Sequence, residues 1–369
     1  MKQLSSLLFL FLFAIFQTFS AQQGKYHLLI GTYTNTGKSQ GIYIYDVDMK
    51  TSTFTRESVT AGFVNPSFLA LTPNKKFVYT VSEDGPNSLA NAFSFDVRNS
   101  NLNFLNSIST NGSDPCYISV TKKHVFTANY SSGSISIFGR GTNGSLTELV
   151  QLLKHTGKGP NAERQNEPHV HQTVLSPDGK YLIASDLGTD RVTVYQYHPK
   201  GNSSVLTPWD TLLVKPGSGP RHMVFSNNGK NLFLLHELDG TISVIAMKKG
   251  KLKLIQETTV VRNGALKASA ADIHLSPDGK YLYASNRSPA NDITCFSVAN
   301  NGLLTFVQQI PASGSGPRNF SITPDGKYLF IGNQNTDNIV VFKRNSQTGL
   351  LSETGLSIGV PAPVCLIFY

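Results

Sequence analysis

The sequence predicts an all-β protein, a seven-bladed β-propeller in which every blade is a sheet of four antiparallel strands. Two observations carry this prediction: a strand-and-turn motif recurs about every 50 residues, and the two chain ends together supply one further copy. The composition agrees with it, because 40% apolar residues can form a large core while 31 Gly and 18 Pro supply many turns. No long segment keeps apolar residues at helical spacing.

Residues 1–21 are predicted to be a secretory signal peptide. Lys2 precedes an apolar run over residues 7–16, and small residues follow up to Ala21, which is the pattern of a cleaved export signal. The run is shorter than the roughly 20 apolar residues that a membrane anchor needs, and we expect no later membrane span. We therefore expect an exported protein, periplasmic or secreted, whose residues 22–369 form a single monomeric propeller domain.

The repeat is the strongest signal in the chain. Its clearest copies read LSPDGKYL, in which Pro presets φ and Gly accepts a positive φ, so that Pro-Asp-Gly makes a turn between two strands. The six copies begin at Leu71, Val120, Leu175, Phe225, Leu275 and Ile322. One four-stranded blade for each copy gives six blades.

The chain ends are predicted to form the seventh blade. His27–Tyr33 matches the second strand of a repeat and Gly41–Val47 matches the third, whereas Ala362–Tyr369 matches a first strand. The C-terminal strand should therefore join the N-terminal blade. This pairing closes the ring and covers the strand edges that an open array of repeats would expose.

The register of the repeats predicts where polar residues gather. The first strand of each propeller blade lines the central channel, and the second strand returns antiparallel to the same face. The first strands bring Ser67, Cys116, His171, Arg221, Ala271 and Arg318 to this face, and the ends of the second strands bring Glu83, Asn129, Asp186, Glu237, Asn286, Arg287 and Asn333. We expect these two sets to form rings around one mouth of the channel.

The chemistry of these rings indicates a binding pocket. His171, Arg221 and Arg318 occupy equivalent positions in three blades, so they can converge although they are distant in sequence. The arginine guanidinium suits carboxylate or phosphate, and a histidine with a carboxylate can transfer protons. The pattern therefore favours a pocket for an anionic small molecule. Polar residues that merely fill a solvated channel are the alternative.

A metal site and a nucleic-acid site are weaker interpretations. Glu167, His169 and His171 alternate and could bind a metal from one side of an extended segment. Pro168 and the strand start argue against a pre-organised site, so we predict no metal and no other cofactor. The formal charge is +9, but Lys and Arg are scattered along the chain, which argues against a nucleic-acid partner.

An ordered series of motifs resembles one known family. HVHQT at 169–173, GPRH at 219–222 and HELDGT at 236–241 are similar to motifs of the propeller-type 6-phosphogluconolactonases. The resemblance runs from about Tyr26 to the C-terminus. That family is related to the fungal carboxy-cis,cis-muconate lactonising enzyme. The resemblance implies a seven-bladed propeller that hydrolyses a sugar δ-lactone to the aldonic acid.

The resemblance also implies roles for individual residues. Carried over by motif, His171, Arg221 and Glu237 are catalytic: Arg221 stabilises the oxyanion, and either His171 or Glu237 is the base that activates water. Arg287, in the segment ASNR, matches the motifs of that family less closely. The residues that we expect to contact the substrate are His169, Arg287, Arg318, Asn129 and Asp186.

The signal peptide departs from the family pattern, because a cytosolic enzyme of the pentose phosphate pathway needs none. Two substrates therefore stay open, 6-phosphogluconolactone and an unphosphorylated aldonolactone. A propeller that only binds a ligand or a partner and a muconate-type lactonising cycloisomerase are the alternatives to a hydrolase.

Overall fold

The computed structural model describes residues 24–262 and 268–369, so the predicted signal peptide at 1–21 lies outside the described residues. The described residues form seven antiparallel sheets of four strands each and one short 3-10 turn, Gly85–Asn87. The predicted seven-bladed propeller is confirmed. In the part of the chain that the structure describes, no helix has the length and apolar character to span a membrane.

Each blade consists of four strands that follow one another from the channel to the rim. The innermost strands are β4 (Leu69–Leu71), β8 (Pro115–Val120), β12 (Val170–Leu175), β16 (Pro220–Phe225), β20 (Ala270–Leu275), β24 (Pro317–Ile322) and β28 (Pro363–Phe368). The second strands are β1 (Lys25–Thr32), β5 (Phe77–Ser82), β9 (His124–Asn129), β13 (Tyr181–Asp186), β17 (Asn231–His236), β21 (Tyr281–Asn286) and β25 (Tyr328–Asn333).

The two outer strands of each blade continue the same order from the channel to the rim. The third strands are β2 (Gly41–Asp48), β6 (Leu89–Asp96), β10 (Ser134–Arg140), β14 (Arg191–Tyr197), β18 (Thr241–Lys248), β22 (Asp292–Val298) and β26 (Asn338–Arg344). The rim strands are β3 (Thr53–Ala61), β7 (Asn101–Ser109), β11 (Leu146–Lys154), β15 (Leu206–Leu213), β19 (Lys251–Thr259), β23 (Leu304–Pro311) and β27 (Leu351–Gly359). We number the blades 1 to 7, with β28, β1, β2 and β3 in blade 1.

The C-terminal strand closes the ring as predicted. β28 pairs antiparallel with β1, with Leu28 opposite Phe368 and Ile30 opposite Leu366. Backbone hydrogen bonds extend this pairing at both ends, from Tyr33 N to Ala362 O at 3.2 Å and from the last residue to β1. Each innermost strand also contacts the innermost strands of both neighbouring blades, and the circle is completed between β28 and β4.

The apolar core is divided among the blade interfaces. Seven clusters of buried apolar side chains are present in the described residues, and each combines residues from two neighbouring blades. In the cluster between blades 1 and 2, for example, Leu29 and Ile44 pack with Val78 and Phe93. Because hydrophobic burial occurs between the blades, the central channel is free to carry polar side chains.

The Pro-Asp-Gly turns have the predicted geometry. Gly179 has φ of +70°, a conformation that glycine adopts without a steric penalty. Ser176 Oγ donates to Asp178 Oδ1 at 2.6 Å and accepts from Tyr181 N at 3.0 Å, so the side chains hold the turn closed. The turn therefore sets the pairing of the first and second strands and, with it, the face at which each strand begins.

Candidate active site

β-bulges in the innermost strands point one layer of side chains into the channel, and His171, Arg221 and Arg318 are the charged or titratable polar members of that layer. In six blades the pairing between the first and second strands shifts by one residue, so that the first strand carries an extra residue near its start. The residues at this shift are Cys116, His171, Arg221, Ala271, Arg318 and Val364. A bulge bends the strand and changes the direction of its side chains, which explains how this layer comes to face the channel.

Glu237 lies at the centre of a cluster of cations. Its Oε1 accepts a hydrogen bond from Arg164 Nη2 at 2.7 Å, and its Oε2 accepts one from Arg221 Nε at 3.0 Å. Arg287 Nη2 lies 3.3 Å from the same Oε2, and His171 Nε2 lies 3.9 Å from it. Three guanidinium groups and one imidazole therefore converge on a single buried carboxylate.

The members of this cluster come from different parts of the ring. Glu237 directly follows β17 in blade 5, and its backbone N–H donates to Gly219 O at 2.7 Å. Arg221 lies on the bulge of β16 and also donates to the carbonyl of Ala271 in blade 6. Arg287 follows β21, where its Nε donates to Ser269 O at 3.0 Å. The positions of these side chains are thus set by contacts with the backbone, within the blade for Glu237 and Arg287 and across to the next blade for Arg221.

The charges of this cluster follow from its geometry. Burial alone would raise the pKa of Glu237, but the charges of Arg287, Arg221 and His171 together lower that pKa well below its ordinary value. Burial and the charge of Arg221 lower the pKa of His171 well below its ordinary value. Burial lowers the pKa of Arg221 to about 10. Near neutral pH the cluster therefore holds an ionised carboxylate, a neutral imidazole and charged guanidinium groups.

A second carboxylate lies on another wall of the same pocket. Glu83 accepts hydrogen bonds from Tyr33 Oη at 3.0 Å and from Ser67 Oγ. Arg318 Nη2 donates to Tyr33 Oη at 2.9 Å, and its guanidinium lies over the Tyr33 ring. Burial raises the pKa of Glu83, while the charge of Arg318 and the two hydroxyl donors lower it by a smaller amount.

The two carboxylates border one cavity of about 240 Å³. Its walls are formed by Glu83, Asp114, Cys116, Tyr130, Arg164, His171, Glu237, Arg287 and Arg318. A cleft of about 610 Å³ adjoins this cavity, because Glu83, Asp114 and Arg318 border both. The combined space is in the range of pockets that bind small molecules.

The channel is nearly closed below this cavity. A residual space of about 10 Å³ lies between Arg221, His222, Glu83 and Arg318, which is about the minimum volume for one water molecule. One residue deeper, His222 Nδ1 lies 2.8 Å from Asp272 Oδ1, and Asn319 Nδ2 donates to Asp272 Oδ2 at 2.5 Å. This network links β16, β20 and β24 and gives the pocket a floor.

The structure brings five of the predicted site residues together: His171, Arg221, Glu237, Arg287 and Arg318. Three of them are more deeply buried than the solvated mouth that the repeats suggest, since His171 is 4%, Arg221 2% and Glu237 5% exposed. Substitution of these three is therefore expected to affect stability as well as activity.

Asn129 and Asp186, predicted to contact the substrate, do not border the pocket. Asn129 Nδ2 donates to the hydroxyl groups of Ser134 and Ser136 at 3.0 and 2.8 Å, within its own blade. Asp186 accepts from the backbone N–H of His169 at 2.8 Å and lies at the same distance from a histidine ring nitrogen. Both side chains are fully buried and use their polar atoms to hold the end of a blade together.

His169 supports the pocket from behind. Its ring stacks on Tyr130 with the centroids 4.4 Å apart, and its Nδ1 lies 3.0 Å from Tyr130 O. Tyr130 borders the cavity and its Oη accepts a hydrogen bond from Arg164 at 3.2 Å. Within the described residues, no group of three or more His, Cys, Asp or Glu side chains is arranged to hold a metal ion, so Glu167, His169 and His171 do not form such a group.

Arg164, Tyr130 and Asp114 border the cavity but are missed by the sequence pattern. Arg164 lies in the connection between β11 and β12, which matches no part of the repeat. Tyr130 directly follows β9, as Glu237 directly follows β17, whereas the sequence pattern points to Asn129, one residue earlier. Glu83 stands at the predicted position in blade 2, and its equivalence with Glu237 is the signal that identifies it.

Comparison with protein families identifies one that covers the whole propeller. The family model described as "Lactonase, 7-bladed beta-propeller" matches residues 27–368. A 6-phosphogluconolactonase of Formosa agariphila is 35% identical over 333 residues, which cover 88% of this chain and 94% of the relative. A 6-phosphogluconolactonase of Bacillus subtilis is 33% identical over 351 residues, which cover 93% of this chain and 98% of the relative.

Solved structures agree in fold. A crystal structure from Bacteroides fragilis matches with a TM-score of 0.90 and 40% identity, over 95% of this chain and 99% of the other. The periplasmic gluconolactonase of Pseudomonas aeruginosa matches with a TM-score of 0.89 and 34% identity, over 93% of this chain and 99% of the other. The similarity therefore extends over the complete ring of blades.

Proposed function

The chain belongs to the seven-bladed β-propeller lactonase family, and we propose that it is an exported hydrolase that opens a sugar δ-lactone to the aldonic acid. The observation that carries this proposal is the convergence of Arg221, Arg287 and a neutral His171 on Glu237 at one cavity. Cations placed at a carbonyl oxygen and a neutral imidazole are what ester hydrolysis requires. All of these groups come from one chain, so we propose that a monomer is active.

Arg287 is the group that we assign to the developing oxyanion. The sequence alone favours Arg221 for this role, but Arg221 lies below the cavity, whereas Arg287 borders it and is partly exposed. A guanidinium that is held in place before the reaction can stabilise the negative charge of the tetrahedral intermediate without reorganisation. Arg221 adds positive potential and holds Glu237 in position.

His171 is the better placed of the two predicted bases. The oxygens of Glu237 are engaged by three guanidinium groups, so this carboxylate is a weak proton acceptor. His171 is neutral and borders the cavity, so it is in the protonation state of a base. Glu237, 3.9 Å from His171 Nε2, stabilises the imidazolium that forms when His171 takes a proton from water.

The charges of the pocket favour an uncharged aldonolactone. The described residues that border the cavity and the cleft include four acids, Glu83, Asp114, Glu237 and Asp337, and four bases, Lys38, Arg164, Arg287 and Arg318. Lys38 is paired with Asp337 at 2.7 Å, and two of the arginines are paired with Glu237. The lining is balanced while Glu83 is ionised and has one surplus cation when Glu83 is protonated, and neither state neutralises a phosphate dianion. The names of the Formosa and Bacillus relatives favour the alternative, 6-phosphogluconolactone.

Turnover of a matched pair of lactones tests this proposal. We expect a higher kcat/KM for glucono-δ-lactone than for its 6-phosphate, measured by acid release and corrected for spontaneous hydrolysis. The control is the Arg287→Ala variant, which should lose turnover of both lactones if they use this pocket. Preference for the phosphorylated lactone would reverse the assignment of substrate. No turnover of either lactone would favour a binding propeller, and turnover confined to muconate-type substrates would favour a cycloisomerase.

Export is proposed from the N-terminal sequence and is supported by the periplasmic location in the name of the Pseudomonas relative. Cleavage after the apolar run predicts that the mature protein begins at about Ala21 or Gln22 and is recovered outside the cytoplasm. N-terminal sequencing of protein from a cell fractionation measures this. Replacement of Leu10 by Arg should interrupt the apolar run and retain the uncleaved chain inside the cell. Recovery of the wild-type chain from the cytosol with Met1 intact would contradict the proposal.

A further inference from the structure

We propose that Glu83 is the general acid of the reaction and donates a proton to the ring oxygen that leaves when the lactone opens. This inference rests on the proposed lactone hydrolysis and adds a second proton-transfer residue to it. Ester cleavage needs two proton transfers, because the attacking water must lose a proton and the leaving alkoxide must gain one. His171 accounts for the first transfer only.

The position of Glu83 is the first argument for this role. Glu83 directly follows β5 in blade 2, and Glu237 directly follows β17 in blade 5, so the two carboxylates occupy the same place in the repeat. Blades 2 and 5 are three steps apart in a ring of seven, which places the two residues on opposite sides of the channel. Both border the cavity of about 240 Å³ that His171 also borders. A substrate in this cavity therefore lies between the base and Glu83.

The surroundings of the two carboxylates differ, and this difference is the second argument. Glu237 is in contact with three guanidinium groups. Glu83 is hydrogen-bonded to the hydroxyl groups of Ser67 and Tyr33. Burial lifts the pKa of Glu83, whereas arginine charges lower that of Glu237. Two carboxyl groups whose pKa values are shifted in opposite directions within one site can divide the proton-transfer roles between them.

The hydroxyl and thiol groups that face Glu83 do not ionise near neutral pH. Arg318 lies on β24 and its charge lowers the pKa of Glu83, while Asp114, ahead of β8, raises it. Burial raises the pKa of Tyr33, which follows β1, and that of Cys116 on β8. Both groups therefore stay neutral near neutral pH.

Hydrolysis by this route conserves atoms and charge. Water attacks the lactone carbonyl carbon, His171 takes a proton from the water, and the carbonyl π pair moves onto the oxygen that Arg287 faces. The electron pair on this oxygen then re-forms the carbonyl double bond, and the bond between the carbonyl carbon and the ring oxygen breaks. The ring oxygen takes the proton of Glu83. The products are a hydroxyl group and a carboxylic acid. His171 then releases a proton to solvent and Glu83 takes one up, so the net reaction is the addition of one water molecule.

Glu83→Gln is the direct test. Gln has the size of Glu and can accept the same hydrogen bonds from Ser67 and Tyr33, but it has no acidic proton. We expect kcat for glucono-δ-lactone to fall about 100-fold or more, with KM close to that of the wild type. The melting temperature of the variant shows whether the fold is kept. A Glu83→Gln variant with the kcat of the wild type overturns the inference.

Ser67→Ala separates proton transfer from a structural role. Ser67 borders only the small space below the cavity and donates to Glu83, so its loss removes a bond that stabilises the ionised carboxylate and raises the pKa of Glu83. A general acid acts while it is protonated, and kcat/KM falls as pH rises through its pKa. The alkaline limb of the profile should therefore move about one unit to higher pH in Ser67→Ala.

Ser82→Ala is the matched control, because Ser82 is the residue before Glu83 and its hydroxyl accepts from Asn91 instead. The alkaline limb of the kcat/KM profile of Ser82→Ala should lie at the same pH as that of the wild type. A wild-type profile without an alkaline limb, or a limb that Ser67→Ala does not move, overturns the role of Glu83. If the wild type hydrolyses no lactone, the proposed function fails as well. If Arg287→Ala abolishes turnover while Glu83→Gln does not, only the present inference fails.

Discussion

Removal of residues 364–369 is expected to unfold the protein. This deletion takes away nearly all of β28, which pairs with β1 and contacts β24 and β4 on either side. Val364, Cys365 and Leu366 are buried, and each buried aliphatic side chain that is lost costs about 2–5 kcal/mol. The total stability of a domain is about 5–15 kcal/mol. The deletion thus removes most of the available stability and exposes the edge of β1 to aggregation.

Solubility and thermal unfolding followed by circular dichroism measure this effect. The truncated chain should be insoluble or should melt far below the full-length protein. Removal of Tyr369 alone is the control, because this residue lies beyond β28, although its ring packs against Phe95 and His27. It should lower the melting temperature much less than the deletion of all six residues. A truncated chain that melts like the full-length protein would contradict the closure of the ring by β28.

The ring of blades could be predicted from the sequence because its determinants are local and repeated. Three copies of the repeat have a Pro-Asp-Gly turn and the other three have related turn residues, and the six copies recur at intervals of about 50 residues. The closing strand could be predicted as well, because Ala362–Tyr369 repeats the pattern of a first strand. The position of every blade, and the face at which the polar residues gather, can be predicted from these signals.

The contacts of single side chains could not be predicted in the same way. The repeat pattern puts Asn129 and Glu237 at one position, but Asn129 is the last residue of β9 whereas Glu237 comes one residue after the end of β17. Asn129 accordingly bonds to Ser134 and Ser136 inside its blade, while Glu237 bonds to arginines in the channel. An offset of one residue is enough for this difference, because successive side chains of a strand point to opposite faces. Periodicity carries no information on these partners.

The bulges and the connecting loops further limit what can be predicted about the site from the sequence. An extra residue at His171 or Arg221 has no characteristic sequence, although it decides where these side chains point. Arg164 comes from an irregular connection and reaches Glu237 only in the folded ring. The sequence thus identifies the candidates for the site, whereas burial and pairing, which decide their roles, appear only in the structure.

Arg287→Ala is expected to lower kcat for a sugar lactone by about 100-fold or more, the loss typical of removing one oxyanion donor. Binding of the uncharged ground state should change less, so KM should rise only slightly. The side chain of Arg287 is 18% exposed and Glu237 keeps two other arginines, so the fold should remain. Steady-state kinetics at constant pH, corrected for spontaneous hydrolysis, measure the effect.

The other two arginines on Glu237 provide matched controls, since they share the partner and differ in burial. Arg221 is 2% exposed, and Arg221→Ala leaves part of a buried ion pair uncompensated, so it should lower the melting temperature as well as kcat. Arg164 is 43% exposed, and Arg164→Ala should have the smallest effect on both quantities. An Arg287→Ala variant with wild-type kcat would refute the oxyanion assignment. A larger fall of kcat in Arg221→Ala, at a temperature where this variant is folded, would return that role to Arg221.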